Sequence, residues 1–334
     1  MTIKDLAAQT GYSVGTVSRV LNNQPHVSEQ AREAILRAAK ESGFQLNANA
    51  KQLKQQHSNS ILVICKGKSN ELFDGLLVAI QSRMAHSVHP LTVDYIDESE
   101  NEVRRAVQLC LEKKPMGVLF LGGNYQNFQK DFHHISQPCV LVTNSAAELP
   151  YGNLSSVSVD DAQAAKTAVE HLIALGHKHI GIVGGHRQYS DTTELRYAGC
   201  MEAFRNHGIA FREDRDYENT RFSYEDGYRG AQALLQRNPQ LTAVFAMSDV
   251  MAIGAIRALN DAGKRVPEDV SVVGFDGLII GGFIQPRLTT IRQDVEAMAE
   301  HALELLRRSI EDGADAAHET IPVTLLARES TREI

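Results

Sequence analysis

Thr16-Val17-Ser18-Arg19-Val20-Leu21-Asn22 reads as the second helix of a helix-turn-helix, and this reading divides the rest of the chain. Just upstream, Ile3-Lys4-Asp5-Leu6-Ala7-Ala8 sets Ile3, Leu6 and Ala7 on one helical face, and Gly11-Tyr12-Ser13 supplies the turn before the next apolar run. Val17, Val20 and Leu21 fall at i, i+3 and i+4, a stripe that packs on the first helix. Ser13, Val14, Gly15, Ser18 and Arg19 are then left facing outward, where a recognition helix presents its N-terminal residues to a major groove. Taken alone, seven residues of this kind read first as an ordinary amphipathic surface helix.

Further along, Ser28 is an N-cap for a third helix over 29–42, with Ala31, Ile35 and Ala38 or Ala39 inward and Gly43 at its end. Residues 45–58 are rich in Asn, Gln, Lys and Ser, the composition of a linker. Within it, 47–54 reads as a candidate short helix capped by Asn47, with Ala50 and Leu53 on one face, too short to hold in water by itself. From Ile61 onward, β-branched runs at 61–64, 91–95, 117–121, 139–143, 180–183, 242–246, 270–274 and 321–325 alternate with helical stretches at 74–84, 102–111, 161–175, 199–207, 227–236, 250–262 and 295–311. Such alternation predicts parallel sheets with right-handed crossovers, and this many strands predict two doubly wound lobes.

Composition sets the outer bounds. A chain of 334 residues divides naturally into a small domain and two lobes, and 43% hydrophobic with 22% charged residues is a globular composition. No apolar run approaches the roughly 18 residues of a membrane span, and the N-terminus has no apolar signal region, so the cytoplasm is the expected location. Cys65, Cys110, Cys139 and Cys200 are scattered, suggesting neither a metal site nor a disulfide framework, and no cofactor is expected. The net charge of −7 is unevenly placed: residues 1–58 carry +3 and the remainder −10. A basic end on an acidic body suits phosphate contact by that end alone, although a solvated helical surface explains three charges equally well.

The order of these features, from the first two helices through Val27-Ser28, Arg32 and Gly43-Phe44 to the last residues, resembles the LacI/GalR family of bacterial transcription regulators. That resemblance implies an all-α helix-turn-helix headpiece (1–45), a hinge helix and linker (46–58), and a periplasmic-binding-protein-like α/β body (59–334). The body would comprise one lobe of about 59–158 and 292–320 and a second of about 159–291 and 321–334. It implies DNA contact by Thr2, Ser13, Val14, Gly15, Thr16, Ser18, Arg19, Asn22 and His26, and by Asn47, Ala50, Lys51, Leu53 and Lys54 of the hinge. In the family the hinge helix folds when two subunits meet on a pseudo-palindromic operator, and its leucine wedges into the minor groove; Leu53 takes that place. Many members have proline before the helix asparagine, and Leu46 here makes the entry less rigid.

Ligands of open parallel sheets bind beyond the carboxyl ends of strands. Three such loops carry Met247-Ser248-Asp249, Phe275-Asp276-Gly277, and the run from Gly184-Gly185 to Arg196-Tyr197-Ala198-Gly199. The resemblance implies an effector site of Phe73, Arg196, Phe222, Ser248, Asp276 and Gln293, in which an opposed guanidinium and carboxylate grip hydroxyls and an aromatic face stacks on a ring. Singly, Arg196 and Asp276 read equally well as a surface ion pair. Glu194 stands where many members have a second arginine, Ser248 where asparagine is usual, Gly277 where a second aspartate is common, and Thr143-Asn144 replaces a frequent Asp-Arg. The lost positive charge favours a neutral sugar over a purine or sugar phosphate. A homodimeric repressor is expected, without a heptad tail after Leu326-Ala327-Arg328-Glu329-Ser330-Thr331.

Rival readings are weaker. Gly11-Tyr12-Ser13-Val14-Gly15 spells the G-x-S-x-G of hydrolases, but that motif needs a preceding strand, so no enzyme is expected. His177-Lys178-His179 suggests a metal pair, yet it lies in a helix-to-strand connection, and Gly181, Gly184 and Gly185 do not complete a dinucleotide fingerprint. A solute-binding protein without DNA function would share the body but have no use for the headpiece.

Overall fold

The structure is a computed structural model that describes residues 2–21, 27–42, 58–67, 70–85, 87–188 and 190–334. The chain forms two compact units, Met1–Ser58 and Asn59–Ile334.

In the first unit, α1 (Ile3–Thr10), α2 (Val14–Leu21) and α3 (Glu29–Glu41) enclose Leu6, Val17, Val20 and Ile35. Local chemistry punctuates the helices. Thr2 and Asp5 form a reciprocal capping box, with Thr2 N donating to Asp5 Oδ2 at 2.7 Å. Gly11 ends α1 at φ 73°, a left-handed conformation that a side chain resists. Ser28 caps α3, whose buried stripe is Ala31, Ile35 and Ala39.

The second unit contains two six-stranded sheets. With strands numbered in chain order, the first has the order β11-β5-β4-β3-β1-β2 and the second β12-β10-β9-β8-β6-β7, for β1 (Ile61–Lys66), β2 (Leu91–Ile96), β3 (Gly117–Leu121), β4 (Cys139–Val142), β5 (Leu154–Ser158), β6 (Ile180–Gly184), β7 (Tyr217–Asn219), β8 (Ala243–Ala246), β9 (Ser271–Asp276), β10 (Thr289–Arg292), β11 (His318–Thr320) and β12 (Thr324–Leu326). Among the described residues every strand pairing is parallel except β10 with β12. Helices cover both faces, so the central strands are buried throughout, as Gly117–Leu121 is.

The chain crosses between sheets three times: after β5, after β10 and after β11. The strand expected over 321–325 begins at Thr324, as β12 of the second sheet; β11 of the first sheet ends before it at Thr320, and Ile321 is buried against the first lobe's core at the crossing. Strands β5, β7, β10 and β11 had no expected counterpart. β5 (Leu-Ser-Ser-Val-Ser) is too polar to read as a buried strand, and two of its three serines take part in hydrogen bonds: Ala146 N donates to Ser156 Oγ at 2.9 Å and Ala317 N to Ser155 Oγ at 3.1 Å. The helix expected from Gly199 begins eight residues earlier, at Asp191, behind the N-cap Ser190.

Candidate functional site

At the carboxyl ends of both sheets the two lobes face each other across a cavity of about 340 Å³. One wall comes from the loops after β1, β2, β3 and β4, with Lys66, Asp97, Glu98, Gly122 and Asn144; the other from the second lobe, with His186, Thr220, Arg221, Asp226 and Asp276. Four strand ends turn into it through positive-φ backbone, Gly67 at φ 105°, Gly122 at φ 79°, Thr143 at φ 81° and Asp276 at φ 111°. For Thr143 and Asp276 that conformation is costly, and such cost concentrates at binding sites.

Phe73 and Phe222 stand on opposite lobes, each lying on a glycine. A Cβ on Gly122 would sit 2.7 Å from Phe73 Cζ, and one on Gly185 would sit 2.6 Å from Phe222 Cε2. These close approaches let both rings reach the cavity.

Arg196 enters from the first turns of the helix Asp191–Asn206, 5% exposed. Its Nε donates to Asp161 Oδ1 at 2.8 Å, its Nη1 to Met247 O at 2.5 Å, and its Cζ lies 3.6 Å from the centroid of Phe275. The ion-pair partner of Arg196 is therefore Asp161, not Asp276. Burial pushes the Asp161 carboxyl up, and Arg196 holds it back. Asp276 accepts a hydrogen bond from Gln293 Nε2 at 2.9 Å. Its carboxyl is pushed up to about 7 because it is buried, with Arg196 and Gln293 opposing the rise.

Among the six residues expected at this site, Phe73, Arg196, Phe222 and Asp276 line the cavity, whereas Ser248 and Gln293 lie behind it. Ser248 is 2% exposed and spends its hydroxyl as the N-cap of Asp249–Asp261, accepting from Met251 N at 3.3 Å. Its neighbour Asp249 is wholly buried between Thr290 Oγ1 (2.6 Å) and Leu278 N (2.6 Å), and its carboxyl is raised far above the usual range by that burial and by nearby Asp276. Sequence reading missed Asp161, Lys66, Glu98 and Arg221. Asp161 had a visible signal, since an acid at the first turn of a helix stands beside free backbone N–H groups.

Contacts also join the lobes around the cavity. Arg221 Nε is 2.9 Å from Glu98 Oε1, the Tyr224 hydroxyl donates to Glu71, and Tyr125 N donates to Asp191. On the first lobe, Lys66 Nζ is 2.5 Å from the fully buried Glu102, which also accepts from Asn124 N at 2.7 Å.

The headpiece carries the second candidate site. Val14 is 43% exposed at the start of α2, with Gly15 and Arg19 exposed on the same helix. Ser13 Oγ accepts from Thr16 N at 3.1 Å, so these two hydroxyls organise the helix start, and Thr2 is engaged in its capping box. Ser18 is half-buried. Asn22, His26, Asn47, Ala50, Lys51, Leu53 and Lys54 lie outside the described residues. No group of three or more metal-ligating side chains occurs among the described residues, and no described helix is long and apolar enough to cross a membrane.

Comparison with known proteins supplies the identity. Residues 2–47 match the family of bacterial regulatory proteins, lacI family, and residues 169–331 match a periplasmic binding protein-like domain. The chain is 32% identical, over 99% of its own length and 99% of the relative's, to the HTH-type transcriptional regulator MalR of Clostridium butyricum. Among solved structures it resembles the lac repressor dimer bound to operator and the anti-inducer ONPF, at TM-score 0.79 and 26% identity with 99% of each chain covered. It also resembles the complex of transcriptional regulator CelR with cellobiose, at TM-score 0.71 and 26% identity over the same shares. A helix-turn-helix headpiece followed by a two-lobed body with a cavity between its lobes, matched along the whole chain, makes this protein a member of the LacI family of bacterial transcription regulators.

Proposed function

We propose that the chain represses transcription as a homodimer on a pseudo-palindromic operator, and that a neutral sugar in the interlobe cavity sets its operator affinity. One observation carries the effector class. Each lysine or arginine on the described cavity wall stands against a carboxylate: Arg196 on Asp161, Lys66 on Glu102, and Arg221 on Glu98. An anionic ligand would have to compete with those partners, while hydroxyls can donate to Asp276 and accept from the paired cations. Phe73 and Phe222 supply the apolar faces a sugar ring needs. The neighbour solved with cellobiose is consistent with this class.

Two further features support the DNA-bound dimer. The outer face of α2 carries Val14, Gly15 and Arg19. On the body, Ile279 and Phe283 are 83% and 81% exposed, a costly display of apolar surface that a second copy would cover. Localisation in the bacterial cytoplasm, with the DNA, follows from this role.

The test is a thermal-shift and calorimetric screen of neutral sugars, sugar phosphates, and purine bases and nucleosides. A native-state ligand at 100 times its Kd stabilises by about 2.7 kcal/mol, so a neutral sugar should raise the melting temperature visibly. A hit confined to purines or sugar phosphates overturns the effector class while keeping the regulator. Operator titrations with and without the hit then give the sign of regulation, and linkage demands that operator alter sugar affinity by the same factor.

A further inference from the structure

The Arg196 guanidinium is held from behind. Nε and Nη1 are committed to Asp161 Oδ1 and the Met247 carbonyl, and the ring of Phe275 occupies one face. Nη2 makes no hydrogen bond to a described residue, and Arg196 is a wall of the cavity. Asp161 touches the cavity nowhere: its side chain is 2% exposed, at the first turn of the helix Asp161–Ala174, and is absent from the lining. The arginine thus offers a donor to the cavity while its charge is cancelled by a carboxylate that no ligand meets.

From this arrangement we infer that Asp161 is the residue that sets the cavity's ligand charge, acting through Arg196 to make it a site for neutral hydroxyl compounds and to refuse oxyanions. The inference rests on the reading of the cavity as the effector site. It deepens that reading by assigning the selection to one residue outside the ligand's reach.

The physical case is a matter of distances and surroundings. A buried guanidinium beside a cavity, without a counter-ion, is a strong oxyanion site, because its planar donors match carboxylate, sulfate and phosphate and the low dielectric leaves the charge unscreened. With Asp161 at 2.8 Å, an arriving oxyanion meets a pair of net charge zero instead of a cation. Asp276, also buried at the cavity, adds a second negative group whenever it is ionised. Replacing Asp161 by asparagine keeps an acceptor for Arg196 Nε and nearly the same volume while removing the charge.

Calorimetry of the full chain with sodium sulfate and sodium phosphate, at ionic strength held constant with chloride, reads the assignment without knowledge of the natural effector. Wild type is expected to bind neither anion in the cavity. Asp161→Asn is expected to gain at least about tenfold in sulfate affinity, and the double variant Asp161→Asn, Arg196→Gln to lose that gain. Circular dichroism and operator binding report folding, and Asp161→Ser serves where the asparagine variant is not recovered.

An unchanged sulfate affinity in a folded Asp161 variant overturns the assignment, as does a gain that survives loss of Arg196. Sulfate uptake by the wild-type cavity would overturn it with no variant needed. The sugar reading fails separately: if wild type ignores every neutral sugar yet Asp161→Asn gains sulfate through Arg196, the effector class falls and the role of Asp161 stands. If wild type binds a sugar and the variants gain no sulfate, the effector class stands and the role of Asp161 falls.

Discussion

Gln293 and Asp276 are tied twice: Gln293 Nε2 donates to Asp276 Oδ1 at 2.9 Å, and Gln293 N donates to Asp276 O at 3.0 Å. Asp276 ends β9 and lines the cavity, while Gln293 follows β10 on the segment that crosses to the other lobe and becomes the helix Val295–Glu311. The Asp276 carboxylate is thus hydrogen-bonded to a residue on a lobe crossing. Gln293 Oε1 is buried without a hydrogen-bond partner among the described residues, so the crossing also holds an unused acceptor.

Sugar affinity should depend on pH through this carboxylate. Asp276 is pushed up to about 7 by burial, so it gains its negative charge, and its full capacity to accept from hydroxyls, only as pH rises past that value. We expect neutral-sugar binding to be about tenfold weaker at pH 6 than at pH 8, the ratio for a ligand that needs the ionised form. Calorimetry at the two pH values checks it, and Asp276→Asn should bind weakly and without that dependence. A flat wild-type profile would remove Asp276 from ligand contact.

Gly185→Ala should damage the cavity and spare the DNA contacts. Its Cβ would lie 2.6 Å from both Phe222 Cε2 and Thr193 Oγ1, so the aromatic wall must shift. Overpacking of this kind costs about 1–3 kcal/mol, and we expect sugar affinity to fall by tenfold or more while operator affinity without sugar stays within twofold. Parallel sugar and operator titrations of the variant decide this.

Arg19→Ala should weaken operator binding by about 1–3 kcal/mol, whether the guanidinium meets a guanine edge or a phosphate. The two are separable by anisotropy titrations over a salt series. Loss of a phosphate contact flattens the salt slope by about one and weakens all duplexes alike, whereas loss of a base contact leaves the slope and relaxes preference at one base pair.

Leu53→Ala should lower operator affinity and leave sugar affinity unchanged, since a minor-groove wedge acts on DNA alone. Parallel operator and sugar titrations check this, and equal loss of both would show instead that Leu53 anchors the linker to the fold.

Much of the headpiece was legible in the chain because its determinants are local. Leu6, Val17, Val20 and Ile35 are buried where the 3.6-residue period puts them, and Gly11 and Ser28 end and begin helices by conformational and capping effects that act within a few residues. The alternation of the body was legible for the same reason, with the helix Val295–Glu311 found at the bounds its amphipathic pattern gives. Where the period was broken, reading failed. The serines of β5 masked a strand, and the single apolar run expected over 321–325 hid a crossing between two sheets.

The site divides in the same way. The family resemblance was enough to place Phe73, Arg196, Phe222 and Asp276 together, and all four line the cavity at the carboxyl edge of the parallel sheets. What no linear reading supplied was the pairing of charges. Arg196 and Asp161 are 35 positions apart, Lys66 and Glu102 are 36, and Arg221 reaches Glu98 from the other lobe. Coulomb energy depends on separation in space and on burial, neither of which the sequence states. Sequence by itself thus determined the headpiece helices and the alternation of the body, since periodicity and local capping act within a few residues, and by resemblance it determined the family and four of the residues that line the cavity; only tertiary structure decided which carboxylate neutralises which cation, and with it the charge the cavity presents to a ligand.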